Sequence, residues 1–420
     1  MEKTDRKRKM TNLPSKGSSF WQWAFLSFVI AGLTGFTYRL GFIVALPTDW
    51  DLINIRHAHS HLMFFGWASF LPLYFIYTEI IYEQCSALSK RIIELSFWII
   101  MSFGLLSFVT FFLWGYQPVL IGSARIPVSA ILSGFVMIGW YVFMVGYLIH
   151  RAKAATDKRN IWYESALVML FVSSLGAWSV GLSELLTFGN PLLLKALTHF
   201  FLSTYTEGWI VLILLGFIAK RLDVNSTDYL ISPNILVALI AFGAPLTFPY
   251  GISASFINAQ LLFAARLGGV MIGTSVLIFI YSSLENDKLL KQFWAWPISF
   301  LAIKAVMQII ASISPPELWM SDMGIRILYL HVLLLGAFTT SMVLYICRDC
   351  AINKNYIYAV FGSICIVLMS LVLLTNFWPS TLKGYWIYPV LAICATLPIL
   401  TMSLFWRRVR TIKNRTIYQP

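Results

Sequence analysis

Histidine is the side chain whose placement is most informative in this sequence. Five of the six histidines lie near the starts of three apolar segments, and they are His57, His59, His61, His199 and His331. The neutral imidazole is a common ligand of haem iron and of copper or zinc ions. His57 and His61 are four residues apart and share a helix face, whereas His59 points in roughly the opposite direction. On a regular helix, at most two of these three therefore serve one site.

The apolar segments that position the histidines are long enough to cross a membrane. Of the 420 residues, 59% are hydrophobic and 12% charged, about half the charged fraction of a soluble domain. These values exclude a soluble enzyme, a disordered chain and a disulfide-stabilised secreted protein. We predict an all-α polytopic membrane bundle of about twelve transmembrane helices. The predicted spans are 20–45, 57–82, 93–115, 126–150, 161–187, 196–219, 234–250, 261–283, 294–313, 327–346, 356–376 and 387–406.

The basic residues predict how this bundle lies in the membrane. A single twelve-helix transmembrane domain at 20–406 is expected between basic tails at 1–19 and 407–420. Twenty-three lysines and arginines lie in the tails and every second loop, against five in the other loops. This asymmetry predicts that the N and C termini are both cytoplasmic, and we expect a bacterial inner membrane. Topology thereby accounts for the net charge of +13, and no nucleic-acid partner is expected.

With this topology, the five histidines all lie in the outer third of the membrane. Helices rise about 1.5 Å per residue, so the first turns of the second, sixth and tenth spans share one depth. A haem or metal site built from several helices is one interpretation. The alternative is that each histidine is an interfacial anchor or donates to a carbonyl of a neighbouring helix.

Charged side chains also lie within predicted spans, where their cost suggests a function. Arg39 and Arg266 lie at the depth of the histidines and suit a haem propionate or a quinone carbonyl, or else a carboxylate inside the bundle. Glu207 and Lys304 lie deeper. Both a proton relay and a structural hydrogen-bonding role fit these two residues.

The arrangement resembles subunit I of the haem–copper oxidases, the superfamily of cytochrome oxidases and nitric-oxide reductases. The resemblance lies in twelve spans and in two motifs, His57-Ala-His-Ser-His-Leu-Met-Phe-Phe-Gly-Trp67 and Leu328-Tyr-Leu-His-Val-Leu-Leu-Leu-Gly336. It implies a low-spin haem held between His331 and one second-span histidine, His61 or His57. Electron transfer, an electron donor and oxidase-like partner subunits are implied by this resemblance alone.

The chain departs from that family at the catalytic centre. Tyr329 stands where the family has the histidine of the reactive haem, and Tyr205 stands at the copper-binding histidine, two residues before Glu207. The adjacent histidine pair that completes the copper site has no counterpart in the predicted seventh span. The resemblance thus implies an altered site around Tyr205, Glu207 and Tyr329, with His199 as a further ligand candidate. Copper is not expected at the usual position, which argues against conventional dioxygen reduction.

A second resemblance is to the NnrS family, twelve-span haem and copper membrane proteins linked to nitric oxide stress. It would fit the scattered single histidines. We therefore expect a haem-binding membrane protein related to oxidoreductases, with a degenerate or altered catalytic centre. The alternatives are a carrier for a metal ion or small solute, in which Glu207 and Lys304 relay charge, and a non-catalytic sensing or assembly subunit.

Overall fold

Helices form almost all of the structure, as a chain in lipid requires, because each backbone polar group must be paired within the protein. The computed structural model describes residues 20–81, 85–152, 160–185, 191–224, 229–252, 256–284, 293–347 and 352–417. Within these ranges the only strands are β1 (Val119–Ile121) and β2 (Ala124–Ile126), an antiparallel hairpin in which Val119 pairs with Ile126. The predicted basic tail at 1–19 lies outside the described residues.

The chain divides into two compact units. Unit 1 contains residues 1–150, 346–367 and 388–420, and unit 2 contains residues 151–345 and 368–387. The helices mainly in unit 1 are α1 (Phe20–Leu40), α2 (Leu52–Leu62), α3 (Phe70–Ile81), α4 (Ala87–Trp114), α5 (Val128–Arg151), α14 (Lys354–Val372) and α15 (Ile387–Ile417). Those mainly in unit 2 are α6 (Ile161–Leu185), α7 (Pro191–Ser203), α8 (Val211–Leu222), α9 (Pro233–Leu246), α10 (Ala259–Ser283), α11 (Ala295–Ile313), α12 (Met323–His331) and α13 (Thr340–Cys347).

Ten helices in the described part of the chain are long and apolar enough to cross a membrane. This finding confirms the prediction of a multi-pass helical membrane protein, and exposed apolar side chains such as Leu148, Phe242 and Met369 are suited to contact lipid. The predicted seventh span is shorter than expected: α9 ends at Leu246, one residue after an internal proline, Pro245. The total of twelve spans and the cytoplasmic termini stay predictions.

The last helix is longer than the predicted twelfth span. α15 continues past residue 406 to Ile417, so most of the segment predicted as a basic tail is helical. Arginine and lysine are good helix formers, and nothing in the sequence after residue 406 interrupts the helix before its last turn.

Three π-helical segments interrupt the described helices, and no sequence pattern predicted them. They are π1 (Met63–Ser69), π2 (Thr204–Ile210) and π3 (Val332–Thr339). They fall in the predicted second, sixth and tenth spans, the three that carry the candidate ligands. Fewer than about one residue in a hundred is π-helical in proteins, and such segments occur frequently at functional sites.

Each π-helical segment contains a glycine that lies against a neighbouring helix. A Cβ atom on Gly66 would lie 2.3 Å from the Ser27 Oγ atom, and one on Gly208 would lie 2.6 Å from the Met169 Cε atom. A Cβ atom on Gly336 would lie 2.9 Å from the Phe300 ring. Glycine is therefore needed at these positions for close helix approach rather than for an unusual backbone angle.

Candidate functional site

His59 is the second-span histidine held by a neighbouring helix of unit 1. α2 begins at Leu52, where the Asp51 carboxylate accepts a hydrogen bond of 2.7 Å from the Ile53 amide. From α2, the His59 Nδ1 atom reaches the Ala31 carbonyl oxygen of α1 at 2.7 Å. Because a carbonyl oxygen only accepts, Nδ1 carries the ring proton, and Nε2 carries the lone pair that binds a metal.

Two more residues of α1 face this ring. Ala31, Gly35 and Arg39 are spaced four residues apart and share one helix face. A Cβ atom on Gly35 would lie 3.0 Å from both the Cε1 and the Nδ1 atoms of His59, so the ring packs against bare backbone. Arg39 is close enough to His59 for its charge to act on the imidazole, and its Cζ atom lies 5.6 Å from the centre of the Tyr38 ring. The ring of His59 is thus held in one orientation, beside a cation.

His57 and His61 lie on the other face of α2, as the spacing predicts. The His61 ring stacks on Phe111 with 3.8 Å between ring centroids, and its Nδ1 atom lies 2.9 Å from the His57 carbonyl oxygen. Its Nε2 atom lies 3.2 Å from the Tyr116 hydroxyl. The His57 and Tyr116 ring centroids are 4.9 Å apart. These two histidines therefore belong to an aromatic cluster at the end of α4, separate from the surroundings of His59.

His331 in unit 2 has the same backbone hydrogen bond as His61. Its Nδ1 atom lies 2.7 Å from the carbonyl oxygen of Ile327, four residues earlier, which again makes Nε2 the lone-pair atom. π3 begins at the next residue, and Gly336 follows His331 by five positions, as Gly66 follows His61. The similarity of the two motifs thus coincides with the start of a π-helical segment in each.

The predicted altered site is a closed polar cluster inside unit 2. The Glu207 carboxylate accepts hydrogen bonds from the Tyr329 hydroxyl at 2.7 Å, from the Gln308 amide at 3.2 Å and from the Lys304 ammonium. Lys304 also donates to the Gln308 side-chain oxygen at 2.5 Å and lies 5.7 Å from the centre of the Tyr329 ring. Glu207 and Lys304 are both buried. The structure therefore brings Glu207 and Tyr329 together, and Lys304 supplies the positive charge. Tyr205, two residues before Glu207 in the sequence, is fully buried. The centroid of its ring lies 5.6 Å from that of Phe201.

His199, Arg266 and Arg326 each contact backbone groups of unit 2. A Cβ atom on Gly251 would lie 1.9 Å from the His199 Nδ1 atom, so His199 packs directly on that glycine. Arg326 donates to the carbonyl oxygens of Gly251, at 3.4 Å, and Met320. Arg266 donates to the Ser314 carbonyl oxygen at 3.3 Å.

The described part of the chain contains no group of three or more His, Cys, Asp or Glu side chains that could hold a metal ion. Haem needs only one or two protein ligands, because the porphyrin supplies four nitrogen atoms. His59 and His331 are single histidines whose rings are oriented by a hydrogen bond, and each could serve as one such ligand.

Sequence reasoning missed two partners for different reasons. Gln308 follows Lys304 by four residues, so their shared helix face was visible in the sequence. Tyr116 is 55 residues from His61, and no spacing rule connects them. Comparison of the chain with family models and with curated proteins gives no match.

Proposed function

We propose that this protein is a haem-binding integral membrane protein for electron transfer, in which His59 of unit 1 and His331 of unit 2 are each candidate haem ligands. The observation that carries this proposal is the hydrogen bond from each Nδ1 atom to a backbone carbonyl, at 2.7 Å in both cases. Such a bond selects the tautomer, fixes the ring and makes Nε2 a better ligand, as is usual for metal-binding histidines. The resemblance to the haem–copper oxidases favours haem as the group that they hold.

The geometry favours His59 over the two other second-span histidines. The Phe111 ring covers one face of His61, and the Tyr116 hydroxyl lies at its Nε2 atom. His59 instead packs against the backbone at Gly35, and Arg39 lies close enough to it to be a partner for a propionate. Haem with two imidazole ligands supplies one-electron transfer and has no open iron position for a substrate.

The residues of unit 2 do not fit a second metal at the altered site. The carboxylate of Glu207 already accepts three hydrogen bonds, one of them from an ammonium group. A metal ion there would have to displace Lys304, which has no solvent exposure. We therefore propose that dioxygen reduction at this position is not the activity of the chain.

The buried ion pair of Glu207 and Lys304 is also the observation that favours the carrier alternative. Ionisable pairs at membrane depth are typical of transport pathways and proton relays. A carrier would need no haem, so the two functions differ in a property that is easily measured.

The experiment is a visible spectrum of detergent-purified protein from haem-replete cells, oxidised and then reduced with dithionite. We expect a sharp low-spin haem spectrum that is lost in His59→Ala and in His331→Ala and is retained in His57→Ala and His61→Ala. Colourless, folded wild-type protein would overturn the proposal and favour the carrier. Loss of the spectrum in His61→Ala with retention in His59→Ala would preserve haem binding and reject our choice of ligand.

A further inference from the structure

A second group of potential ligands lies on the face of α2 opposite His59. His57 and His61 are one helical turn apart, with 6.4 Å between their ring centroids. Two histidines spaced by four residues on one helix are a common metal-binding arrangement, as in zinc proteases. Two imidazoles alone bind a metal ion weakly, so the question is whether a third donor lies within reach.

Tyr116 provides that donor. Its hydroxyl oxygen lies 3.2 Å from the His61 Nε2 atom, and its ring packs edge-on against His57. Since the His61 Nδ1 atom is held by the His57 carbonyl, the hydroxyl meets the lone pair that a metal would use. An ion that replaces the hydroxyl proton can bind the phenolate oxygen and Nε2 together, and the proton then leaves to solvent.

The chain fixes Tyr116 in this position through the residue before it. Gly115 ends α4 with φ of 57°, in the region that favours glycine. A Cβ atom there would lie 2.0 Å from the Asn54 Oδ1 atom, and the Asn54 amide donates to the Leu113 carbonyl oxygen at 3.5 Å. Asn54 lies on α2, one turn before His57. The turn that carries Tyr116 is thus packed onto the helix that carries both histidines.

The three side chains are accessible from the surface of the protein. Tyr116 is 38% exposed, and both histidines are partly exposed. Asp51 and Arg56 lie close enough to act on His57 with opposite charges.

We propose that His57, His61 and Tyr116 form a binding site for one divalent transition-metal ion, for which Cu²⁺ is the best match. Two imidazole nitrogens and one phenolate oxygen are unsuited to calcium or magnesium, which take oxygen ligands. Among divalent first-row metals, such a site binds Cu²⁺ most tightly. The site goes beyond the proposed haem, because it uses none of the residues assigned to iron.

The test is a Cu²⁺ titration of chelator-treated protein, purified through a tag that contains no histidine. We expect one Cu²⁺ per chain, nitrogen couplings from two imidazoles in pulsed electron paramagnetic resonance, and a new phenolate-to-copper absorption band in the difference spectrum. His57→Gln and His61→Gln should each weaken binding at least about tenfold, since losing a second-shell partner alone costs that much. Tyr116→Phe should remove the absorption band, and the exposed control Tyr385→Phe should leave binding and band unchanged.

Several outcomes would overturn the site. These are wild-type protein that binds no Cu²⁺, binding that survives in both histidine variants, and resonance spectra with fewer than two imidazole couplings. The last measurement uses only wild-type protein, so a variant that fails to fold does not weaken the test. The haem spectrum is expected to survive in His57→Gln and His61→Gln and to be lost in His59→Ala. Failure of the copper site is therefore distinguishable from failure of the haem proposal.

Discussion

The Lys304 ammonium and the Glu207 carboxylate form an ion pair in the interior of unit 2, where the Lys304 side chain has 0% exposure and that of Glu207 has 4%. Charges without water need partners for every donor and acceptor. Here Gln308 and Tyr329 complete the set, so the pair is a satisfied network rather than two isolated charges.

Replacing one member of this ion pair is predicted to lower the free energy of unfolding more than replacing both members. Lys304→Met leaves a carboxylate buried without its counter-charge, which should lower the free energy of unfolding by about 3–5 kcal/mol. The double variant Glu207→Leu/Lys304→Met should recover most of that loss. Thermal unfolding in detergent measures both, with Lys383→Met in an exposed loop as the control. A double variant as unstable as Lys304→Met would show that the pair is not the cause.

The Tyr329 hydroxyl is predicted to stabilise the same network. Tyr329→Phe removes one hydrogen bond to a charged group, which should cost about 1.5–3 kcal/mol. The same unfolding experiment checks it, and Tyr385→Phe, at a residue 59% exposed, should have no measurable effect. Equal stability of the two variants would contradict the hydrogen bond between Tyr329 and Glu207.

Gly35 is predicted to control haem content through His59. In Gly35→Val the new side chain would press on the imidazole, whose Cε1 and Nδ1 atoms lie 3.0 Å from the Cβ position. We expect a lower ratio of haem to protein, measured from the reduced spectrum and a protein assay. Gly362→Val is the matched control, because no atom lies within 4 Å of its Cβ position. Full haem content in Gly35→Val would argue against His59 as a ligand.

The close packing of Gly66 in π1 against Ser27 in α1 is predicted to be lost in one variant and recovered in a second. Gly66→Ala places a methyl group 2.3 Å from the Ser27 Oγ atom, which should cost about 1–3 kcal/mol through overpacking. Ser27→Gly removes the opposing atoms, so the double variant should be more stable than the two single effects predict. A double-mutant cycle of unfolding free energies measures this coupling. Strict additivity would mean that π1 does not pack on Ser27.

The sequence was sufficient for the class of protein and for the faces of α2. Composition and apolar segment length predict a helical membrane protein, and the spacing of His57, His59 and His61 places His59 apart from the other two. Both inferences depend on local periodicity, which each helix expresses without reference to its neighbours.

The partners of the candidate ligands were beyond such reasoning. Lys304 and Glu207 are 97 residues apart, and only the folding of unit 2 brings them together. The π-helical segments could not be predicted, because adding a single residue to a helical turn does not change the composition recognisably. Glycine is the residue type that all three share, and it also occurs in ordinary helices. Which residues share a helix face was therefore predictable, whereas the neighbouring helix that each face meets was not.

The length of α15 has a consequence at the membrane boundary. Its 31 residues extend about 46 Å, well beyond the roughly 30 Å of bilayer hydrocarbon. If its apolar residues fill that thickness, the turns with Arg407, Arg408 and Arg410 emerge as a stiff cationic rod at the level of the headgroups. Anionic phospholipids would attract it by about 1 kcal/mol per basic residue, so this end of the protein is anchored by lipid charge as well as by hydrophobic length.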